Sequence, residues 1–320
     1  MSGSSRRLLF AVAIVAGMAR PALCQEWATL RGHTGLVARL AFSPDGRTLA
    51  SASEDDTIKL WEVASGKVRA TLRGHTGLVL AIVCSPDGKE LASAGSDGVR
   101  LWGADGKSRG VFKEESDPVL AVAYSPDGRT LAVGGKELVR VWDIKTRKKR
   151  LSLKLEYGGP VGCVAFSPDG RTLAAGSGEG VTLWEVASGK KRGALTGDSV
   201  SIVFSIAFTP DGRMLAEDGE GLSVNLWDLP AAKRRATLWG HKAAVESVAF
   251  TKGGKVLASA GGKSVRLWDP VNRKELAAIN QKAPVCTVAS SPDGRLLAAG
   301  VGETIKLWDV EKLLQQKSKE

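Results

Sequence analysis

From Ala28 to Asp309 the chain alternates short apolar runs with polar, turn-forming clusters. In the first unit Val37 to Phe42 is an apolar run, Ser43-Pro44-Asp45-Gly46 interrupts it, and Thr48 to Ser53 resumes it. Asp55-Asp56 leads into Thr57-Ile58-Lys59-Leu60-Trp61, and Ser65-Gly66 leads into Val68 to Leu72. Pro pre-sets φ and Gly accepts positive φ, so these clusters predict tight turns. Apolar runs of this length between turns predict strands, four to a unit of ~40 residues.

The unit recurs. Trp stands at 61, 102, 142, 184, 227, 268 and 308, at spacings of 40 to 43 residues. Ser-Pro-Asp-Gly stands at 43–46, 85–88, 125–128, 167–170 and 291–294, with Thr-Pro-Asp-Gly at 209–212 and Thr-Lys-Gly-Gly at 251–254. Two markers in step over seven copies identify an internal repeat. One four-stranded sheet cannot bury both faces alone, whereas seven packed radially can. A length of 320 residues would suggest two domains of ~150. The repeat predicts one, over residues 25–311, followed by a short polar tail at 312–320.

The pairing of Gly-His with a later Trp-Asp resembles the WD40 repeat. Gly32-His33 precedes Trp61-Glu62, Gly74-His75 precedes Trp102-Gly103, and Gly240-His241 precedes Trp268-Asp269. Units 3, 5 and 7 end in Trp142-Asp143, Trp227-Asp228 and Trp308-Asp309, and unit 4 ends in Trp184-Glu185. The resemblance implies an all-β, seven-bladed β-propeller of four-stranded antiparallel blades. It also implies a ring closed by an N-terminal strand that completes the last blade. Glu26 to Leu30 aligns with the outer strands at Arg69 to Leu72 and Arg235 to Leu238, and the last unit lacks such a strand. Residues 311–320 read either as a short helix or as a disordered tail.

The resemblance further implies a His-Ser-Asp-Trp network in each blade. His33, Ser51, Asp55 and Trp61 match it, as do His75, Ser93, Asp97 and Trp102. In unit 6 His241, Ser259 and Trp268 match, but Lys263 replaces the acid. All three His are thereby placed in structural roles, and a Ser-His-Asp nucleophile is not expected, since the same set occurs in two blades. No Cys-x-x-Cys, His-x-His or HExxH motif is present, so no metal or cofactor is expected. A non-enzymatic scaffold is the expectation, with a propeller hydrolase or lyase assembled from several blades as the weaker alternative.

Residues 1–24 differ from the repeats. Arg6-Arg7 precedes the apolar run Leu8 to Met18, and Ala22-Leu23-Cys24 offers a small-residue cleavage site. This order predicts a secretory signal, cut after Cys24 or after Ala19; a lipidated Cys24 is the weaker alternative. The run is too short for a bilayer-spanning helix, which needs ~20 apolar residues. The expected product is an exported monomer, periplasmic or secreted, with no permanent membrane span. Its net charge falls from +11 to +8 on cleavage. Cys84, Cys163 and Cys286 lie in apolar strand patterns and read as buried thiols.

Two surfaces are candidates for binding. In propellers of this family the residue after the first Val of each inner strand tends to reach the channel mouth. Here those residues are Ala38, Leu80, Leu120, Gly162, Phe204, Glu246 and Cys286. One reading is a docking surface for a protein or peptide, anchored by Leu120 and Phe204, with Arg39 and Glu246 supplying polar specificity. The other is packing between blades. The second surface is basic: Lys145, Arg147, Lys148, Lys149 and Arg150, then Lys190, Lys191 and Arg192, then Lys233, Arg234 and Arg235. These follow the Trp of units 3 to 5, at the turn into the outer strand, and Arg273-Lys274 takes the matching place in unit 6, so the positive charge runs along the rim of blades 3 to 6. A solvated edge, an acidic partner and nucleic acid are the three readings. The export signal and the lack of interleaved aromatics argue against nucleic acid.

Overall fold

The computed structural model describes residues 26–112, 118–155, 159–178, 180–197, 202–219 and 221–317. The expected export signal at residues 1–24 and the last three residues of the tail lie outside them. Seven four-stranded antiparallel sheets form the blades of a propeller. Blade 1 runs through Val37–Phe42, Thr48–Ser53, Ile58–Glu62 and Val68–Leu72, within one residue of the strands read from the sequence. The strand Ala28–Arg31 pairs with Thr304–Asp309, Ala28 opposite Leu307 and Arg31 opposite Thr304, so it is the outer strand of the last sheet. An ion pair between Lys306 and Glu26 flanks this seam.

The core lies between the blades. Ala50, Ala52, Ile58, Leu60 and Leu72 of blade 1 pack against Val79, Ile82, Leu91 and Trp102 of blade 2. The same layer joins the last blade to the first: Leu30, Ile305, Leu307 and Ala298 pack against Val37, Leu49 and Trp61. Each Trp that marks the repeat thus fills the space facing the preceding blade. Burying such a side chain contributes ~1.5–3 kcal/mol.

Polar joints accompany this packing. The amide of the first Val of an inner strand donates to a carbonyl at the corner between the second and third strands of the preceding blade. Examples are Val161 to Gly135 (2.9 Å), Val245 to Gly221 (2.8 Å) and Val37 to Gly302 (2.8 Å). On the opposite face the Ser-Pro-Asp-Gly turns interlock. Ser43 Oγ donates to Asp45 Oδ1, and the same oxygen accepts from the Arg47 amide. Gly46 sits at φ +68°, and a Cβ added there would lie 3.6 Å from Pro292 of the neighbouring turn. Gly88 meets Pro44 and Gly128 meets Pro86 in the same way. Lys252 breaks this series in blade 6, and there Thr251 Oγ1 instead donates to the Gly294 carbonyl at 2.9 Å.

After the last strand the chain turns into a helix, Val310–Lys317. Asp309 caps it, its Oδ1 accepting from the Glu311 and Lys312 amides at 3.1 Å. Val310 and Leu313 are buried against blades 6 and 7. Of the two readings left open for this segment, the helix holds through Lys317.

Candidate partner-binding face

The polar residues that look most like chemistry are consumed by the blades. Trp61 Nε1–H donates to Ser51 Oγ at 2.7 Å. Ser51 donates to His33 Nε2 at 2.7 Å, and His33 Nδ1–H donates to Asp55 at 2.8 Å. That chain fixes the neutral tautomer and leaves neither ring nitrogen free. Burial, opposed by Asp55, pushes the His33 pKa down. Burial alone would raise Asp55, but bonds from Thr57, the Thr34 amide and His33 hold it down to about 2. His75, Ser93, Asp97 and Trp102 repeat the arrangement. In blade 6 Lys263 does not leave a gap. Ser264 Oγ accepts from His241 Nδ1 at 3.2 Å and donates its own O–H to the Gly261 carbonyl.

Blade 5 departs most from the pattern. Glu217 stands in the Ser position and Asp218 follows it, both buried. Asn225 donates to Glu217 Oε1 at 3.2 Å, while among the described residues Glu217 Oε2 and the nearby Trp227 indole nitrogen make no hydrogen bond of good geometry. Burial pushes Glu217 up to about 7, against the pull of Trp227, Asn225 and Arg234. Asp218 accepts from the Phe204 and Ser205 amides at 2.9 to 3.1 Å. Burial still pushes it up to about 8. Asp218 therefore holds the backbone that carries Phe204.

The channel is a cavity of about 240 Å³. Of the residues expected at its mouth, Leu120, Gly162, Phe204 and Glu246 line it, together with Arg39. Ala38, Leu80 and Cys286 do not. Ala38, Leu80, Glu246 and Cys286 are all bulge residues, at which the first two strands of their blades slip by one. A bulge re-aims its own side chain and shifts the residues after it. The lining also takes the next residue around the ring, in bulged and unbulged blades alike: Arg39, Ala81, Ala121, Cys163, Ser205, Ser247 and Thr287. Sequence spacing alone does not reveal that addition. Cys163 is buried as expected, but Cys84 and Cys286 are only half-buried. Cys84 lines a groove between blades 1 and 2 on the face away from the mouth.

The mouth face also carries most of the exposed apolar side chains. Among the described residues eight large ones are exposed, and five of them belong to this face: Leu78, Ile202, Phe204, Leu222 and Trp239. Four of the five belong to blade 5 or the loop into it, with Phe204 51% and Trp239 65% exposed. Of the two anchors expected from the sequence, Phe204 is among these five, whereas Leu120 is half-buried.

The basic residues occupy the other face. Lys145, Arg147, Lys148, Lys149, Arg150, Lys190, Lys191, Arg192, Lys233 and Arg234 are exposed, and Arg235 is half-buried. Several are held by their surroundings. Arg147, at φ +55°, donates to the Arg109 carbonyl at 2.7 Å and lies over the Phe112 ring. Arg192 pairs with Glu185 at 3.2 Å and donates to Thr172. A groove of about 580 Å³ between blades 4 and 5 includes Arg192, Pro168 and Pro210. Its counterpart of about 470 Å³ between blades 1 and 2 includes Arg69, Pro44 and Asp87, so these grooves belong to the repeat. No cluster of metal-ligating side chains and no helix long and apolar enough to cross a membrane occurs among the described residues.

The family model "WD domain, G-beta repeat" matches residues 24–62, 66–102, 106–143, 150–185, 232–269 and 274–309. It passes over blade 5, where acids replace the usual small residues. The small ribosomal subunit protein RACK1z of Arabidopsis thaliana is 48% identical over 44 residues, 14% of this chain and 14% of that protein. The vegetative incompatibility protein HET-E-1 of Podospora anserina is 55% identical over 38 residues, 12% of this chain and 3% of that protein. The ribosome assembly protein 4 of Saccharomyces cerevisiae is 55% identical over 40 residues, 12% of this chain and 8% of that protein. Each likeness has the length of about one blade and covers far less than two thirds of the relative.

Proposed function

Because the chain belongs to the WD40-repeat family, we propose that it is an exported, non-enzymatic interaction scaffold whose protein partner docks on the channel-mouth face. The observation that carries this reading is the set of exposed apolar side chains on the mouth side of blade 5, running from Phe204 beside the channel to Trp239 on the outer strand. Apolar side chains gathered on one face of a soluble protein favour a binding surface over scattered exposure. The scaffold reading is supported by the fate of the Ser, His and Asp residues, which satisfy one another inside the blades. Export is supported by the charged, apolar and small-residue order of residues 1–24.

A second reading is favoured by a different observation, the exposed cations of blades 3 to 5 on the opposite face. It makes the protein a binder of an acidic surface. Affinity capture from extracellular and envelope fractions, at low and high salt, separates the two. Docking at the mouth predicts a partner kept at high salt and lost from a Phe204→Ala, Leu120→Ala variant. A partner released by salt and indifferent to that variant would move the assignment to the basic face.

A further inference from the structure

Arg39 is the one charged side chain in its ring of the channel. The equivalent positions hold Ala81, Ala121, Cys163, Ser205, Ser247 and Thr287. Its guanidinium has five N–H donors. Among the described residues it makes a single hydrogen bond, from Nη1 to the Ala38 carbonyl at 2.8 Å. No carboxylate of the described residues lies within ion-pair distance of it. Glu246 and Asp218 are close enough to be felt electrostatically, as are the thiols of Cys163 and Cys286, but none makes contact. Asp218 is already engaged by the Phe204 and Ser205 amides. Burial lowers the Arg39 pKa, opposed first by Glu246. A confined guanidinium without a counter-charge is costly, and a carboxylate with good geometry relieves that cost.

Resting on the docking reading above, we propose that Arg39 receives an Asp or Glu side chain of the partner. An extended segment would cross the mouth with an apolar side chain against Phe204 and an adjacent carboxylate inserted into the channel. Glu246, exposed beside the opening, repels free anions. A carboxylate tethered to an apolar anchor overcomes that repulsion through its effective concentration. The cavity of about 240 Å³ has room for one such side chain, not for a folded domain.

The test is selection of a displayed library of random linear peptides on the purified protein, with Phe204→Ala as the counter-selection. Selected peptides are resynthesised with each Asp or Glu changed to Asn or Gln. The exchange is expected to weaken binding to the wild type about tenfold, and binding to Arg39→Gln no more than about twofold. Arg39→Lys, which keeps the charge but not the fork, is expected to fall between them. Thermal melting confirms that both variants are folded. Phe204-dependent peptides without an acidic preference, or with one that survives in Arg39→Gln, overturn the role of Arg39 and leave mouth docking intact. If no selected peptide depends on Phe204, mouth docking fails and this inference falls with it.

Discussion

The Val37 amide donates to the Gly302 carbonyl at 2.8 Å, so the first blade is bonded to the last across the two ends of the repeat array. Beside this bond a Cβ added to Gly300 would lie 2.5 Å from the Val37 carbonyl oxygen, which leaves room there for Gly alone. The strand Ala28–Arg31 adds a second connection, by pairing with Thr304–Asp309.

That seam predicts an asymmetric response to mutation. Leu30 is buried among Val37, Ile305 and Leu307. Leu30→Ala should lower the unfolding free energy by about 2–5 kcal/mol in urea titrations. Glu26→Gln breaks only the partly exposed pair with Lys306, and should cost less than about 1 kcal/mol. Equal effects would contradict the role given to the strand.

The blade networks predict a second set of costs. Ser51→Ala leaves the Trp61 indole N–H and a His33 nitrogen without their partner. Ser93→Ala does the same to Trp102 and His75. Each should destabilise by about 1–3 kcal/mol.

The pH dependence has two opposing limbs. Burial depresses His241 to about 4, with Arg266 adding to the effect. The unfolded chain takes up that proton first, so stability is complete above about pH 6.5 and is lost as pH falls toward 4. Glu217 is raised to about 7, so its contribution is complete below about pH 4.5 and is lost as pH rises through 7. Glu217→Gln should therefore raise the melting temperature at pH 8 and leave it unchanged at pH 4. His241→Gln should shrink the acidic limb without abolishing it, because burial also holds the His33 and His75 pKa values down. Melting curves across this range check both.

Much of the fold was legible because its markers are local. A Pro-Asp-Gly turn and a Trp at a fixed distance need only their own blade, so the strands of blade 1 are found within a residue of their expected positions. What lies between blades was not legible. The contact of Pro292 with the Gly46 turn, and the substitution of Thr251 for a missing Pro, join residues far apart in sequence. The candidate site was half legible. Phe204, Leu120 and Glu246 follow from the repeat, but the channel lining also takes the next residue of every blade, and Ala38 and Leu80, both bulge residues, fall outside it. Ser264 was overlooked because the acid's place in the network is taken from the next position. Glu217 and Asp218 give a sequence signal only as acids inside an apolar strand.

Hydrogen exchange of the protein with and without its captured partner tests the central claim most directly. Mouth docking predicts slowed exchange at residues 202–208 and 221–224, with the turns at 145–150, 190–192 and 233–235 unchanged. Protection confined to those basic turns, with the blade 5 loops exchanging as in the free protein, would contradict it.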